Sequence, residues 1–368
     1  MCFGNSLGFK FANNLTANEI FGYCYGGFLL EVAEDIADAA EIGEITADGK
    51  ISYNGEEIRL ERLLGIYENK LESVYRCNKE NPKTEMLTFS YTAENRVSPA
   101  VKTAKPKVLI PVFPGTNCEY DSAKAMRDAG AEPEIFVINN RSAENVAKSV
   151  EEFANSLKTA QMVFIPGGFS GGDEPDGSGK FITAFFRNAA VKEQVTDLLD
   201  NRDGLMCGIC NGFQALIKLG LVPYGKIIDT ENCPTLTYNT IARHQSKIVR
   251  TRIASNKSPW LADTEVGDIY SVPISHGEGR FIASDELILR LAENGQIATQ
   301  YVDEKGEATS DIHFNPNGSY YAIEGITSPD GRVFGKMGHS ERYAADLYKN
   351  VPGNYDIKMF RSAVKYFK

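Results

Sequence analysis

The pattern of hydrophobic and polar residues predicts an α/β fold for the part of the chain that begins at Pro106. Short, continuous apolar runs alternate there with stretches whose apolar residues recur at helical spacing. Strands that are apolar throughout and joined by amphipathic helices are typical of a mostly parallel sheet flanked by helices on both faces. The predicted strands are Lys107–Phe113, Glu134–Ile138, Met162–Ile165 and Gly204–Ile209, and the predicted helices are Cys118–Asp128, Ser142–Leu157, Phe181–Leu199 and Asn211–Leu219.

After about Lys247 the pattern becomes rich in strands separated by turn residues. Each run holds β-branched and aromatic residues, which favour strands. The sequence therefore predicts that this region adds further strands to the fold. The runs are Lys247–Ile253, Asp268–Ser275, Gln296–Val302 and Tyr320–Ile326.

The first residues of the chain read as a small α+β segment. The aromatic and aliphatic run Phe21–Glu34 predicts a core strand that bends at its two glycines, and Glu61–Glu72 has helical spacing. The pairs Asp48-Gly49 and Asn54-Gly55 are hairpin signals, because a type I′ turn needs positive φ at both central residues.

The stretch 78–105 is polar and contains prolines, and we interpret it as a linker. The predicted domains are therefore residues 1–77, the linker 78–105 and residues 106–368.

Composition and charge narrow the classes of function. The 368 residues include 39 Lys and Arg against 49 Asp and Glu, a net charge of −10. An acidic balance argues against broad nucleic-acid or membrane-surface binding. The seven cysteines are an odd number in a long chain, which favours reduced thiols. No apolar run approaches the ~20 residues of a membrane span, and we expect a cytoplasmic protein.

The most informative stretch is Gly208–Gln214, which lies between a predicted buried strand and a predicted helix. Its G-x-C-x-G spacing is typical of a nucleophile elbow, in which glycines permit a sharp turn that lifts the side chain above the sheet. A thiol at a helix N-terminus is also favoured as a thiolate by the helix dipole. We predict that Cys210 is a nucleophile and that Cys207, in mid-strand, is inert.

A thiolate nucleophile needs a base and a group that orients the base. Two of the four histidines stand in H-x-E pairs, His276 with Glu278 and His339 with Glu341. On an extended segment, residues i and i+2 project to the same side, so either glutamate could accept from its imidazole. The residues alone do not choose between the two pairs.

Backbone amides near the elbow could stabilise an oxyanion. Pro166–Ser170 follows the third predicted strand at the same sheet edge, and we expect its glycines to turn a backbone amide toward the site beside that of Asn211. The sequence contains no Walker motif, paired C-x-x-C zinc motif or H-E-x-x-H. We expect no metal and no cofactor in this chain.

Taken together, these motifs resemble one family, the class I or triad glutamine amidotransferase domains of phosphoribosylformylglycinamidine synthases. The resemblance covers about Lys105–Lys368, with the motifs in the same order. The motifs are Phe113–Glu119, Pro166–Ser170, Gly208–Gln214, Ser275–Arg280, Ile323–Met337 and Gly338–Arg342.

The resemblance implies roles for individual residues and a flavodoxin-like sandwich as the fold. Cys210 would be the nucleophile, His339 the base and Glu341 its orienting carboxylate, which settles the choice between the H-x-E pairs. One departure is Ser340, where many relatives have proline. Further implied roles are oxyanion amides at Gly168 and Asn211, glutamine binding at Gln214, and a place near the substrate or a domain interface for His276 and Glu278.

The implied activity is glutamine hydrolysis through a cysteine thioester, with ammonia passing to an ATP-dependent synthetase. The partners would be L-glutamine and the synthetase region, and ATP and Mg²⁺ would bind only at that separate synthetase site. Residues 1–77 would be the remnant of the synthetase's C-terminal, PurM-like domain, since Ile42–Tyr75 is similar to its last part. We therefore expect a fragment of a larger enzyme.

Two other interpretations stay open at this point. A different Cys-His-Glu hydrolase, such as a γ-glutamyl peptidase, could use the same elbow. The chain could also be a non-catalytic docking module of the synthetase, whose thiol is unused.

Overall fold

A computed structural model gives the structure of residues 2–74, 86–170, 178–228 and 232–368. The contacts divide the chain into two units, Met1–Lys79 and Glu80–Lys368. None of the helices in the described ranges could span a lipid bilayer.

Within residues 2–74, the first unit contains a four-stranded sheet and three helices. The strands are β1 Gly8–Phe11, β2 Gly43–Thr46, β3 Lys50–Tyr53 and β4 Glu56–Arg59, in the order β2-β1-β3-β4. The helices are α1 Cys2–Asn5, α2 Ala17–Phe21 and α3 Leu60–Asn69.

One of the two predicted hairpins in this unit is confirmed. Tyr53 pairs with Glu56 across Asn54-Gly55, whose φ angles of +50° and +83° are those of a type I′ turn. The hairpin predicted at Asp48-Gly49 is wrong, because β1 lies between β2 and β3 and pairs with both. A local turn signal cannot show that another strand enters between its two arms.

The strand predicted over Phe21–Glu34 is also wrong. Phe21 ends α2, and residues 22–34 form no strand. The side chains of Tyr23 and Phe28 are 93% and 90% exposed. Gly26 adopts a φ of +79°, which interrupts an extended run. The segment is apolar without lying in a core of the first unit.

The second unit is built on one nine-stranded sheet, and the predicted α/β fold is confirmed. Strands β15-β8-β7-β5-β6 form its parallel part, and β11-β10-β13-β14 continue the sheet from β15 with antiparallel neighbours. A separate pair joins β9 and β12. The strands are β5 Lys107–Val112, β6 Glu132–Val137, β7 Met162–Ile165, β8 Leu205–Ile209, β9 Thr235–Tyr238, β10 Gln245–Ile253, β11 Ile269–His276, β12 Glu278–Ile282, β13 Ile297–Tyr301, β14 Ile323–Thr327 and β15 Val333–Lys336.

The four helices predicted for the second unit begin and end close to the predicted positions, with one exception, and three further helices among the described residues were not predicted. Phe181–Leu199 is two helices rather than one, because Asn188 caps the second helix by accepting from the Ala190 amide at 3.0 Å. The helices are α4 Glu119–Asp128, α5 Ala143–Leu157, α6 Lys180–Phe186, α7 Ala189–Asp200, α8 Asn211–Leu219, α9 Leu221–Tyr224, α10 Asp285–Glu293 and α11 Met359–Tyr366, with 3-10 turns at Pro259–Leu261 and Tyr320–Ala322.

The centre of the sheet is fully covered by other elements. Every residue of β7 and β8 is buried, as expected for parallel strands that are packed on both faces. This burial fixes the carboxyl end of β8, where open α/β sheets place their ligands. The segment that carries Cys210 begins at that end.

The predicted linker is described from residue 86 onward, and this part hydrogen-bonds within the second unit. The Tyr91 amide donates to the Ala254 carbonyl, and the Thr103 amide donates to the Phe367 carbonyl, both at 2.8 Å. Residues 78–85 lie outside the described residues. The domain limits themselves stay a prediction.

Candidate active site

Cys210 stands at a strained turn between β8 and α8. Its φ of +53° and ψ of −106° are unusual for a residue with a side chain, and the residue is only 5% exposed. Gly212 allows the turn, because a β-carbon there would lie 2.1 Å from the Ile165 carbonyl oxygen. Gly208 is required as well, since its β-carbon would meet the Gly212 backbone at 2.5 Å. The geometry is that of the predicted elbow.

His339 follows β15, the strand that runs parallel to β8 and pairs with it directly. Lys336, the last residue of β15, is in register with Ile209, so the two strands deliver His339 and Cys210 to the same edge. The His339 Nδ1 lies 2.6 Å from Glu341 Oε1, and both side chains are buried. The predicted i, i+2 contact therefore exists in this pair.

The other H-x-E pair does not make this contact. His276 Nδ1 lies 3.2 Å from Asn239 Oδ1. Glu278 instead accepts hydrogen bonds from the Ser178 amide and hydroxyl, at 3.0 and 2.8 Å. The structure thus distinguishes two sequence motifs that have the same spacing.

Gly167 brings the imidazole of His339 and the side chain of Cys210 together. A β-carbon on Gly167 would lie 2.7 Å from His339 Cε1 and 3.4 Å from Cys210 Cβ. Only a glycine leaves room for the ring at this place. Nδ1 is taken by Glu341, and Nε2 has no protein hydrogen-bond partner among the described residues.

The charges in this cluster stabilise one another. Burial lowers the pKa of His339, but the Glu341 carboxylate and the thiols of Cys118 and Cys210 outweigh that effect and raise the pKa well above its ordinary value. Burial raises the pKa of Glu341, and the His339 imidazole reverses this and leaves it below its ordinary value. The pair therefore favours an imidazolium facing a carboxylate.

Cys118 and Arg342 also belong to this cluster, although sequence reasoning gave neither a role. The Arg342 Nη2 donates to Cys118 Sγ at 2.9 Å, and the same sulfur lies 3.8 Å from His339 Nδ1. Cys118 is the N-cap of α4, after the carboxyl end of β5, and is fully buried. The signal that could have found it is the P-G-T-N-C run that follows a buried strand at the same sheet edge.

The same cluster contains the one group of potential metal ligands found among the described residues. Ligand atoms of Cys118, His339 and Glu341 lie within 4.8 Å of one another. The guanidinium of Arg342 places a positive charge on the sulfur, which opposes a second cation there. That the chain binds no metal stays a prediction.

Gly168 and Asn211 lie on the two sides of the elbow. Gly168 has a φ of +136°, and a β-carbon there would lie 2.4 Å from the Gly115 carbonyl oxygen. Asn211 is the first residue of α8, where backbone amides have no acceptor within the helix. The Asn211 side chain also accepts from the Ser170 amide at 3.2 Å, which ties the two segments together.

A cleft, about 320 Å³ when the space open to solvent is included, lies beside Cys210. Of the five predicted binding residues outside the triad, Gly168, Gln214, His276 and Glu278 line it, and Asn211 contacts it through Gln214. Gln214 accepts from Asn211 Nδ2 at 3.0 Å and donates to the Glu278 carbonyl. The lining residues are Gly168, Phe169, Ser178, Cys210, Gln214, Ser275, His276, Gly277 and Glu278.

His276 faces this cleft as a neutral imidazole. Burial lowers its pKa to about 3, and the nearby His339 and His244 add to the effect. Asn239 uses its amide nitrogen to donate to the His276 carbonyl at 2.7 Å, so its oxygen is left to accept from His276 Nδ1. Nε2 is consequently a hydrogen-bond acceptor, and it has no protein partner among the described residues.

Comparison with known proteins identifies the family. The sequence model of the CobB/CobQ-like glutamine amidotransferase domain matches residues 105–367. The chain belongs to this family. It is a glutamine amidotransferase, as the motifs predicted.

Curated relatives and a solved structure give a narrower likeness. The chain is 36% identical over 256 residues to the phosphoribosylformylglycinamidine synthase subunit PurQ of Methanococcus maripaludis, covering 69% of this chain and 87% of that protein. It is 33% identical over 249 residues to PurQ of Aquifex aeolicus, covering 67% and 95%. The structure of PurLQS from Thermotoga maritima matches with a TM-score of 0.53 and 26% identity, covering 72% of this chain and 100% of that chain.

Proposed function

We propose that the chain hydrolyses L-glutamine at Cys210 and supplies ammonia for the conversion of formylglycinamide ribonucleotide to formylglycinamidine ribonucleotide. The observation that carries the proposal is the meeting of Cys210, His339 and Glu341 at the ends of two neighbouring parallel strands, beside a cleft. The likeness to PurQ subunits supports the choice of reaction.

The proposed reaction is acyl transfer in two stages. The Cys210 thiolate attacks the side-chain carboxamide carbon of glutamine and forms a C–S bond, while the amides of Gly168 and Asn211 donate to the oxyanion. His339 gives a proton to the leaving nitrogen, the C–N bond breaks, and ammonia departs. His339 then takes a proton from water, which attacks the thioester carbon; the C–S bond breaks, glutamate is released, and the Cys210 thiolate and the His339 imidazolium are restored.

Residues on the far wall of the cleft would bind the amino-acid end of glutamine. His276 Nε2 is an acceptor without a protein partner, and so is Glu278 Oε1 among the described residues. Both residues line the cleft. An ammonium group supplies the hydrogen-bond donors that both atoms lack. Gln214 supports this wall through its bond to the Glu278 carbonyl.

The ammonia would be used at an ATP-dependent synthetase site outside this chain's glutaminase unit. ATP and Mg²⁺ would bind there, and the hydrolysis of glutamine itself would need no cofactor. The first unit would belong to the synthetase side, as the C-terminal part of that region. It lies outside residues 105–367 that the family matches, and several of its large apolar side chains are exposed. The cytoplasmic location expected from the sequence is part of the proposal, and the likeness to subunits of a biosynthetic synthase supports it.

The test is the release of glutamate from glutamine, measured with and without an added synthetase. Cys210→Ala should abolish release in both conditions. Cys207→Ala removes a fully buried thiol from β8 and should leave release near that of the wild type. Equal activity in wild type and Cys210→Ala would overturn the proposal.

Two further results would favour a different activity. Cleavage of γ-glutamyl dipeptides in preference to glutamine would point to a peptidase. Failure of Cys210 to react with an alkylating glutamine analogue, even with the synthetase present, would point to a docking module.

A further inference from the structure

A buried ion pair lies directly beneath the segment that carries His339. Lys336 ends β15, and Glu324 lies in β14, the antiparallel neighbour of β15. The Lys336 Nζ is 3.2 Å from Glu324 Oε1, and both side chains are completely buried. Neither residue lines the cleft.

The two charged groups hold the backbone on both sides of His339. Lys336 Nζ donates to the Gly338 carbonyl and to the Ser340 hydroxyl, each at 3.0 Å. Glu324 Oε1 accepts from the Gly338 amide at 2.6 Å. Both polar groups of the Gly338 backbone are therefore bound by the ion pair, and Ser340 is held on the other side of the histidine.

The ammonium group of Lys336 is fully used by these contacts. It has three N–H donors, and its three acceptors are the Glu324 carboxylate, the Gly338 carbonyl and the Ser340 hydroxyl. Glu324 is engaged from another side too, because its second oxygen accepts from the Thr299 hydroxyl. These contacts hold both side chains in fixed positions beneath the segment.

The space around Gly338 shows how closely the segment fits its support. A β-carbon at Gly338 would lie 3.0 Å from Glu324 Oε1 and 2.7 Å from Val272 Cγ2. The amide of His339 itself donates to the Pro273 carbonyl at 2.9 Å, on β11. Backbone contacts on each side thus define where the imidazole can stand.

A buried ion pair is a poor source of stability, since well-packed apolar residues of similar volume are often at least as stable. We infer that Lys336 and Glu324 are positioning residues, which fix the backbone of residues 338–340 so that the His339 imidazole faces Cys210. Ser340 completes the arrangement. The inference rests on the proposed role of His339 in glutamine hydrolysis.

The experiment removes both charges at once. The double variant Lys336→Met with Glu324→Met leaves no unpaired buried charge, and we expect it to fold with a melting temperature close to that of the wild type. Its kcat for glutamine hydrolysis should fall by about tenfold to a hundredfold, the effect of a small misplacement of a catalytic group. The KM for glutamine should change by less than about twofold, because the cleft is not touched.

A second double variant serves as the control. Asp330 and Arg332 form an ion pair at 2.6 Å in the turn between β14 and β15. Asp330→Asn with Arg332→Met removes charges from the turn that joins the same two strands, away from His339, and should leave kcat near the wild-type value. A wild-type kcat in the folded Lys336/Glu324 double variant would overturn the inference.

Ser340→Ala keeps the inference testable if the first double variant does not fold. The substitution removes the Ser340 hydroxyl, one of the three acceptors of Lys336, with little change in side-chain size. We expect kcat to fall by about threefold with KM unchanged. An unchanged kcat would count against the inference. Failure of the proposed function would give a different result. If His339 had no role in glutamine hydrolysis, His339→Asn would retain the wild-type kcat.

Discussion

At the scale of single residues, the strained backbone of Cys210 shows how the fold treats its nucleophile. A residue with a side chain in such a sparsely populated region costs about 1–3 kcal/mol of stability. Cys210 is held there because Ile165 and Gly212 pack against the turn from the neighbouring strand and helix. The packing of the surrounding unit offsets the cost of this strained conformation, which places the thiol at the end of β8.

The strain can be measured by substitution. Glycine adopts positive φ without the steric cost, so Cys210→Gly should be more stable than Cys210→Ala by about 1 kcal/mol, although both are inactive. Urea unfolding of the two variants measures the difference. At Cys207, in mid-strand, the order should reverse, with glycine less stable than alanine by about 0.5–1 kcal/mol. If the glycine variant were the more stable, or the less stable, at both positions, the backbone of Cys210 would not be strained.

The buried neutral His276 predicts a loss of stability in acid. Its pKa of about 3 in the folded protein lies below the ordinary value of 6.5, so the unfolded chain binds the proton more readily. The contribution of His276 to stability therefore falls as the pH drops below about 6.5, by about 2 kcal/mol at pH 5. Urea unfolding between pH 7 and pH 5 should show that the wild type loses this amount of stability relative to His276→Gln, a comparison in which the opposite contribution of His339 cancels.

The matched control for this prediction is His313→Gln. His313 is an exposed residue that lies 2.8 Å from Asp311. The unfolding free energy of this variant should run parallel to that of the wild type across the same range. A wild-type curve parallel to that of His276→Gln would show that the buried imidazole does not couple to folding.

Cys118 predicts a shift in the pH profile of hydrolysis. Its contact with His339 helps to raise the pKa of the imidazole, so Cys118→Ala should lower that pKa. The alkaline limb of the kcat/KM profile should then move to lower pH, because the imidazolium is lost earlier. Cys207→Ala, which removes a buried thiol elsewhere in the same unit, should leave the profile in place.

At the scale of elements, the parallel pairing of β8 with β15 places Cys210 and His339 at the same edge of the sheet. Gly335 of β15 lies against α8, and a β-carbon there would come within 2.0 Å of Phe213 Cδ2. Gly335→Ala should therefore displace the elbow helix and destabilise the protein by about 1–3 kcal/mol. Thermal unfolding measures the change. Gly277→Ala, whose β-carbon would approach nothing closer than 4.0 Å, should alter stability much less.

The sequence was enough to predict the parallel part of this sheet and the turn at Cys210. Continuous apolar runs between helices have few other interpretations, and the spacing of Gly208 and Gly212 around a cysteine is a local signal. The spacing alone could not show which of the two H-x-E pairs contributes the base. That choice depends on which strand lies beside β8, and this is a long-range contact.

Other features were missed for related reasons. Lys336 and Glu324 are single charged residues in apolar strands, and a sequence does not show that they pair in the core. Cys118 and Arg342 meet only after α4 and β15 have packed. The apolar run Phe21–Glu34 shows the opposite error. Its hydrophobicity predicted a buried strand, but the first unit has no core that covers these side chains.

At the scale of the whole molecule, the two units differ in how much apolar surface they bury. Leu60 is the only buried apolar side chain among the described residues of the first unit, whereas the second unit has a continuous core. Amides in β1–β4 should therefore exchange hydrogen faster than those in β7 and β8. Hydrogen exchange with mass spectrometry at neutral pH measures both. Comparable protection in the two sheets would contradict this prediction.

The parallel neighbours β8 and β15 have a consequence for the order of events during folding. They are far apart in sequence, and all of β9–β14 lies between them. Contacts of this kind form late, because a long loop must close before they contribute. A partly folded chain would have its thiol in place without its histidine. The onset of glutamine hydrolysis during refolding would therefore report the completion of the sheet, and it would lag behind signals from the helices alone.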